Sequence, residues 1–360
     1  MEEPCIFYSE AQDVFLIFFV DDIIIAYHKN NEEAANRVIN SLKEAYDLED
    51  KGEARFFLGI QIIRDRKNQK IYLSHKAYID KISEKFGQAQ KGTFPAIPIP
   101  ATKLVMRIRE ATKLEIKVYQ EKVGSVLYTA IMIRPDVAFA ASKLLQFLTN
   151  PGPKHQKAVD QAIRYLATTS QVALCYGGTG DIRALEIASD ASYADDPVTR
   201  RSSQGYIVML FGGPIMWKAT RQLTVTTSTT EAELLALQQT AKETMVLKRL
   251  FRDIKFNPQQ DYEIKYDNQQ TIRLVLNTSE RINTRLRHVD INSMWLKQEY
   301  GKGSFGVAYL PTADMPADRF TKALSRQRFE HFKSLLNLVD LRTQPNIHEL
   351  HAQEDHQRGA

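Results

Sequence analysis

The sequence predicts a multidomain fold of the α+β or α/β class. Strand-like runs that alternate in character lie near the N-terminus and in the second half of the chain, and helical patterns bounded by proline lie between them. The chain has 360 residues, of which 43% are hydrophobic and 25% charged. That length and composition suit about two or three globular units with proper cores.

Two apolar runs near the N-terminus predict a tight hairpin. Val14–Val20 and Ile23–Tyr27 are separated by Asp21 and Asp22. For an isolated pair of acids, an ordinary turn is the simpler interpretation. The apolar stretch 14–26 is too short to span a bilayer, and it lacks a basic flank and a cleavage-like site. We therefore expect neither a membrane helix nor a signal peptide.

The next part of the chain predicts helices and a proline-rich linker. Asn31 is placed to cap a helix, residues 57–74 predict two strands, and 76–86 predict another helix. Residues 87–113 carry three prolines with little periodicity and predict a linker. Three further helical patterns follow, near 118–133, 135–148 and 153–167.

Four acidic residues in the second half lie where predicted strands or helices begin or end: Asp190, Glu233, Asp267 and Asp318. Asp190 follows the alternating run 184–189, and Asp267 follows the alternating run 262–266. Four carboxylates brought together repel one another unless a divalent cation, usually Mg²⁺ for oxygen ligands, lies among them. The sequence therefore predicts a metal-dependent phosphodiester enzyme.

The other two acids lie at predicted helix starts. Residues 226–230 can cap a long amphipathic helix that contains Glu231 and Glu233. We prefer Glu233 because an apolar run follows it directly. Asp318 comes after Pro316, where a helix through residue 324 is predicted. Taken alone, each acid is more simply explained as a turn former or a complement to a helix dipole.

The order of the motifs along the chain indicates a common role for the four acids. It closely resembles the ribonuclease H domain of copia-type retrotransposon polyproteins, on these segments: Asp190–Asp195, Arg200–Tyr206, Ser228–Glu233, Asp267–Asn268, Arg287–Asp290 and Ala317–Leu324. The resemblance implies a mixed five-stranded sheet with flanking helices. It also implies that the four acids are catalytic and bind two Mg²⁺ ions, with Mn²⁺ a possible substitute, to hydrolyse the RNA strand of RNA–DNA hybrids. No histidine precedes Asp318 in residues 312–316, where many ribonucleases H have one, and Asp314 is a weak substitute.

The N-terminal half resembles the reverse transcriptase of the same elements. Phe19–Asp22 resembles the polymerase hairpin, and segments 55–62 and 71–75 resemble the primer-contact region. Nucleotidyl transfer needs another Asp from an earlier strand, and only 13 residues precede the hairpin. We therefore expect a polymerase remnant, with Asp21 and Asp22 as its remaining acids, that does not synthesise DNA.

The resemblance divides the chain into five predicted units. They are a C-terminal remnant of a reverse-transcriptase palm (1–87), a linker (88–115), a helical thumb or connection (116–170), a ribonuclease H-like domain (183–325) and a C-terminal helix with a disordered tail (326–360). The intact set of four acids favours an active hybrid nuclease. The truncated polymerase favours the alternative, a catalytically inactive transposon relic or a nucleic-acid-binding module.

Charge and cysteine content limit the partners. The net charge is only +5 and the pI about 8.9, so any contact with nucleic acid must be local. Candidates for phosphate contacts are Arg200, Arg201, Lys218 and Arg221, although charges that protect a solvated sheet edge would look the same. Two cysteines give no disulfide framework or zinc spacing, which fits an intracellular protein in a cytoplasmic particle or the nucleus. Expected partners are an RNA–DNA hybrid and other element-encoded proteins such as integrase or capsid, and no membrane.

Overall fold

A computed structural model of the chain describes residues 5–9, 14–88, 94–100, 102, 104–178, 185–276 and 287–344, with the side chains of 287–290 excepted. It has a mixed α+β architecture with three sheets in these ranges, which agrees with the predicted class. Across the same ranges, every helix is too short or too polar to cross a lipid bilayer.

The first sheet is a three-stranded antiparallel meander covered by one helix. Its elements are β1 (Ile6–Tyr8), β2 (Val14–Phe19), β3 (Asp22–Tyr27) and α1 (Glu32–Ala45). Ala35 of α1 packs with Val14 in a small core. The predicted tight hairpin is present, with Val20 and Asp21 between the paired ends of β2 and β3. Helix α1 begins after Asn31 as predicted, although that side chain makes no capping hydrogen bond.

A second group of strands and four helices form the middle of the chain. They are β4 (Phe56–Phe57), β5 (Ile60–Asp65), β6 (Lys70–Ser74), α2 (Lys76–Lys85), α3 (Lys113–Met132), α4 (Ala138–Leu145), α5 (Pro153–Thr168) and β7 (Val172–Gly177). Thr112 and Glu115 form a capping box at the start of α3, and Pro153 occupies the first turn of α5. The pattern predicted from residue 135 starts as a 3-10 helix, Pro135–Val137, and becomes α-helical at Ala138.

A buried ion pair fixes the corner between α3 and α4 to the end of α5. Arg134 donates from Nε and Nη2 to the two carboxylate oxygens of Asp136, at 2.8 and 2.7 Å. Its Nη1 donates to the Thr169 carbonyl oxygen at 3.0 Å, and the Tyr165 hydroxyl donates to Asp136 at 2.6 Å. The carboxylate is thus bonded at both oxygens and faces a full opposite charge.

The third sheet has five strands and lies in the C-terminal part. The elements are β8 (Leu185–Ser192), β9 (Ser203–Leu210), β10 (Gly213–Arg221), α6 (Thr229–Asp253), β11 (Glu263–Tyr266), α7 (Gln269–Leu276), α8 (Arg287–Gly301) and β12 (Gly306–Tyr309). The order is β10-β9-β8-β11-β12, in which β9 is antiparallel to both β8 and β10, and β11 is parallel to both β8 and β12. This is the mixed five-stranded sheet with flanking helices that the sequence predicted.

Each face of the third sheet packs on helices. Residues of α6, α7 and α8 share a core with Ile187, Val208 and Ile264. On the other face, Ile207 belongs to a larger core that includes α3, α4 and α5. Trp217 of β10 also donates from Nε1 to the Ala130 carbonyl oxygen of α3, at 2.8 Å. The middle helices and the C-terminal sheet are therefore built around a common core.

The last described segment returns to the middle of the chain. Helix α9 (Arg326–Leu335) is followed by β13 (Leu338–Asp340), which pairs antiparallel with β7. The second sheet therefore has the order β13-β7-β6-β5-β4 and joins segments of the predicted units 1–87 and 326–360. The helix predicted at the start of the last unit is present, and the tail predicted to be disordered from 345 onward lies outside the described residues.

Candidate active site

Asp190 lies in the central strand of the C-terminal sheet. It is opposite Gly205 of β9 and 2% exposed. The sequence placed it after the end of a strand, but the ladder with β9 continues to Ser192, so Asp190 is inside β8. Thr321 donates its hydroxyl proton to Asp190 Oδ2 at 2.6 Å.

Asp318 reaches the same region on a short 3-10 helix, Ala317–Phe320. The predicted α-helix through residue 324 is wrong. The Thr321 hydroxyl, whose proton goes to Asp190, also lies 3.0 Å from the Asp318 carbonyl oxygen, and this local contact competes with the bonds of a continuing helix. Lys322 forms an ion pair with the Asp318 carboxylate, and Arg319 Nη1 lies 3.8 Å from it.

A glycine allows this 3-10 helix to approach the sheet. A Cβ atom added at Gly205 would lie 2.5 Å from Phe320 Cβ and 3.4 Å from the Ala317 carbonyl oxygen. Non-bonded carbon atoms do not approach to 2.5 Å, so a larger residue would push the 3-10 helix away. The lack of a side chain at Gly205 therefore allows the segment that carries Asp318 to lie close to Asp190 in β8.

Glu231 and Glu233 have different neighbours in the first turns of α6. Ser228 caps the helix by accepting the Glu231 N–H, and the Glu231 carboxylate accepts the Thr227 N–H at 2.6 Å. Glu231 therefore serves the helix terminus. The Glu233 carboxylate accepts the Tyr266 hydroxyl proton at 2.5 Å and lies in electrostatic range of Asp190 and Asp267. The two glutamates therefore differ in their surroundings, and the assignment of Glu233 to the site stays a prediction.

Asp267 follows β11 directly, as predicted, and precedes α7. Its Oδ2 accepts the Thr312 hydroxyl proton at 2.8 Å. Thr312 begins a 3-10 helix that ends at the exposed Asp314. Strands β8 and β11 are parallel neighbours. The C-terminal end of β11 therefore brings Asp267 beside Asp190.

The pKa values of these carboxylates are raised in part by one another. Burial, reinforced by Asp318 and Asp267, raises the pKa of Asp190 to about 7. Burial and the neighbouring Asp190 raise the pKa of Glu233 to about 8. Raised pKa values from burial and like charges are typical of functional sites.

The present side-chain positions serve hydrogen bonds within the protein. In the described ranges, no group of three or more His, Cys, Asp or Glu side chains is arranged to hold a metal ion. Thr321, Tyr266 and Thr312 each bind one carboxylate, and Lys322 binds the fourth. The donor set of four carboxylates nevertheless suits a hard divalent cation, and rotation of these side chains is required to gather their oxygen atoms.

The other predicted site residues lie elsewhere on the surface. Arg200 and Lys218 are exposed, and Arg201 is half-buried. Arg221 forms an ion pair with the buried Asp196, so its guanidinium is already engaged. The hairpin acids Asp21 and Asp22 are exposed and belong to the first sheet.

Sequence reasoning missed the residues that position the acids. Tyr266 and Thr321 each lie one to three residues from a predicted acid, and Lys322 follows Asp318 by four. The spacing of four residues between Asp318 and Lys322 could have indicated their contact, because residues four apart meet on a helical turn. No pattern in the sequence indicates that Tyr266 reaches Glu233, because that contact depends on the packing of α6 on β11.

Comparisons with known proteins identify the relatives of the chain. No protein-family model matches it. It is 33% identical, over 93% of its length, to the retrovirus-related Pol polyprotein from transposon TNT 1-94 of Nicotiana tabacum. It is 29% identical, over 91% of its length, to the corresponding polyprotein from transposon RE1 of Arabidopsis thaliana. The chain spans 25% and 22% of these two relatives, so it corresponds to about a quarter of their length.

Similarity to solved structures covers a smaller share of the chain. LC11-RNase H1, isolated from compost, matches 39% of this chain and 93% of its own, with 14% identity and a TM-score of 0.30. The relatives that match nearly the whole chain are retrotransposon polyproteins. The chain belongs to the copia-type retrotransposon Pol polyproteins.

Proposed function

We propose that this chain is a ribonuclease that hydrolyses the RNA strand of RNA–DNA hybrids. One observation carries the proposal, namely that four carboxylates from β8, α6, the end of β11 and a 3-10 helix, three of them buried, lie near one another. Two of them have raised pKa values because burial and like charges disfavour ionisation. A fold keeps such a cluster when the charge serves a function.

Asp190, Glu233, Asp267 and Asp318 would hold the divalent ions. They offer only oxygen ligands, which Mg²⁺ prefers and Mn²⁺ accepts. When bound there, two such ions would supply an activated water and stabilisation of the leaving 3′ oxygen. Thr321, Thr312 and Tyr266 orient the carboxylates that they contact, and Lys322 balances part of the charge at Asp318.

The substrate is proposed from chemistry that distinguishes a hybrid from DNA. The 2′-hydroxyls and A-like minor groove mark the RNA strand, and phosphate contacts supply most of the affinity. Among the basic candidates, we assign phosphate contacts first to Lys218, Arg200 and Arg201. Arg221 contributes less because Asp196 already binds it. The two free cysteines, Cys5 and Cys175, agree with action inside the cell.

The test is Mg²⁺-dependent cleavage of a labelled RNA–DNA hybrid by the unmodified chain and by Asp267→Asn. We expect the variant to lose about a thousandfold or more in rate, because one ligand supplies several kcal/mol to metal-assisted hydrolysis. Asp267 is only half-buried, so the variant should keep its fold, as checked by circular dichroism. The matched control is Asp261→Asn, at an exposed Asp six residues away.

The outcomes separate the candidate functions. Near-normal cleavage by Asp267→Asn refutes the assignment of the site. Hybrid binding without cleavage by the unmodified chain identifies a binding module instead. Neither binding nor cleavage identifies an inactive relic.

A further inference from the structure

A loop joins two neighbouring strands at the centre of the candidate active site. It consists of residues 193–202 and connects β8 to β9. Asp190 lies two residues before the end of β8, so the loop begins close to the site. The loop carries Arg200, which is exposed, and Arg201, which is half-buried. These are two of the residues that we assign to phosphate contacts.

The backbone at Arg200 has a left-handed conformation, with a φ of 56°. Such a conformation is uncommon for a residue with a Cβ atom, and it is kept only where the surrounding contacts fix it. The Arg200 N–H donates to the Asp196 carbonyl oxygen at 2.9 Å, and the Asp196 N–H donates to the Arg201 carbonyl oxygen at 3.2 Å. The two arginines therefore lie on a turn whose shape depends on what holds the loop.

One side of the loop is held by the C-terminal sheet. Asp196 Oδ1 accepts the N–H groups of Val198 and Thr199, at 2.9 and 3.1 Å. The same carboxylate pairs with Arg221 of β10. These contacts come from the unit that contains the site.

The other side of the loop is held by a helix from the middle of the chain. Lys143 of α4 donates from Nζ to Asp195 Oδ2 at 2.6 Å. The same carboxylate accepts the N–H and the hydroxyl proton of Ser203, at 2.7 and 2.9 Å. Asp195 therefore joins the loop to the first residue of β9 and, through Lys143, to α4.

The ion pair between Lys143 and Asp195 is partly buried, with side chains 21% and 19% exposed. Lys143 Nζ also lies 5.4 Å from the centre of the Phe139 ring, one turn earlier in α4, and 3.3 Å from the Ser203 hydroxyl oxygen. The ammonium is thus fixed by its own helix as well as by the loop. A pair with such additional contacts contributes more than a fully exposed one.

We propose that Lys143 is a positioning residue, which acts through Asp195 to hold the loop in the shape that presents Arg200 and Arg201 to substrate phosphates. Within the described ranges, Lys143 forms no hydrogen bond or ion pair with the four acids of the site. It therefore affects substrate binding and not the chemical step. The substrate part of this inference rests on the proposed function, whereas the hold on the loop can be tested without it.

The first test measures how firmly the loop is held, by limited trypsin digestion of the full chain in EDTA. The initial rates of cleavage after Arg200 and Arg201, followed by mass spectrometry, report on opening of the loop. Lys143→Met should raise these rates about fivefold, because a partly buried ion pair is lost. Lys143→Arg keeps the charge and should stay within about twofold of the unmodified chain. The matched control is Lys122→Met, which removes the 2.7 Å pair with Asp160 and should leave these rates unchanged.

The second test separates binding from chemistry in the Mg²⁺-dependent cleavage of a labelled RNA–DNA hybrid. Lys143→Met should raise KM about threefold to tenfold and leave kcat within about twofold, because the loop is loosened while the four acids keep their places. Lys143→Arg should restore the KM. A loss of kcat at unchanged KM would overturn the proposal, because it would place the effect of Lys143 at the acids.

A double-mutant cycle tests whether Lys143 acts through the arginines. Arg200→Gln/Arg201→Gln should raise KM about tenfold or more, because two phosphate contacts are lost. Adding Lys143→Met to this variant should change KM by less than about twofold, because residues that act through one contact are not additive. Additive effects would show that Lys143 contributes to binding by another route, which would overturn the proposal.

The proposal is also overturned if trypsin digests Lys143→Met no faster than the unmodified chain, or if Lys122→Met speeds the digestion equally. An unmodified chain that neither binds nor cleaves the hybrid refutes the hydrolytic function and the substrate part of this inference, while the digestion rates still decide whether Lys143 holds the loop. Normal cleavage, with unchanged digestion and KM in Lys143→Met, refutes the role of Lys143 alone.

Discussion

Asp136 and Asp190 are buried to the same extent, since each is 2% exposed, yet their environments have opposite effects. Burial favours the neutral form of Asp136, but the Arg134 guanidinium overrides it and holds the pKa below its usual value. Burial raises the pKa of Asp190 to about 7, and the neighbouring carboxylates Asp318 and Asp267 add to the effect. Asp136 is therefore paired with a cation, whereas Asp190 lies near further carboxylates.

The difference separates a structural charge from the charge that we propose to be functional. The ion pair of Asp136 joins three helices and accepts bonds from Arg134 and Tyr165. The cluster around Asp190 joins a strand, a helix and two turns, and it gathers negative charge that no single side chain neutralises. A sequence under selection for stability alone would not keep like charges together in this way.

The largest effect on stability is expected at the structural pair. Asp136→Asn leaves the Arg134 charge buried without a counterion, so the free energy of unfolding should fall by about 3–5 kcal/mol. Urea denaturation followed by circular dichroism measures this change. The control is Asp160→Asn, which removes the more exposed pair with Lys122 and should cost at most about 1 kcal/mol. Equal losses in the two variants would contradict the distinction.

A smaller effect is expected where the sheet meets the 3-10 helix that carries Asp318. Gly205→Ala introduces a carbon 2.5 Å from Phe320 Cβ, and such overpacking costs about 1–3 kcal/mol. Because the displaced segment carries Asp318, hybrid cleavage should fall about tenfold or more. Urea denaturation and the hybrid assay measure the two effects.

The matched control is a glycine with free space around it. Gly124 lies inside α3 with no atom within 4 Å of a built Cβ. Gly124→Ala should therefore stabilise the protein by about 0.5–1 kcal/mol and leave cleavage unchanged. A stabilising Gly205→Ala would show that the close approach at Phe320 relaxes without cost.

The sequence singled out the four acids as candidates, but it did not describe their surroundings. Alternating runs placed Asp267 at a strand end, and the apolar run after Glu233 favoured it over Glu231, which in the structure caps its helix. Periodicity reports which face of an element is apolar, not which element covers it. The bond from Tyr266 to Glu233 and the pairing of β13 with β7 depend on such contacts between distant segments.

Local chemistry also limited the prediction near Asp318. A proline before an apolar segment is compatible with either an α-helix or a single 3-10 turn. The hydroxyl of Thr321, bound to both Asp318 and Asp190, decides for the turn. That choice cannot be made without knowing that β8 brings Asp190 within reach.

The smallest expected effect is a pH dependence of the free energy of unfolding, and its sign should differ between the two buried carboxylates. Asp190 and Glu233 have pKa values raised to about 7 and about 8, so each holds its proton more tightly in the folded than in the unfolded chain. The stability that their protonated forms contribute is fully present below an unfolded carboxyl pKa of about 4, and it is lost as the pH rises through the folded values. In EDTA, the free energy of unfolding should fall by about 1 kcal/mol or more between pH 5 and pH 8 relative to an Asp190→Asn/Glu233→Gln variant.

The lowered pKa of Asp136 predicts a pH dependence of the opposite sign, with stability lost only as the pH falls below about 4. Urea denaturation at each pH tests both trends, and parallel profiles for the double variant and the unmodified chain would show that the pKa values of Asp190 and Glu233 are not raised in the folded chain.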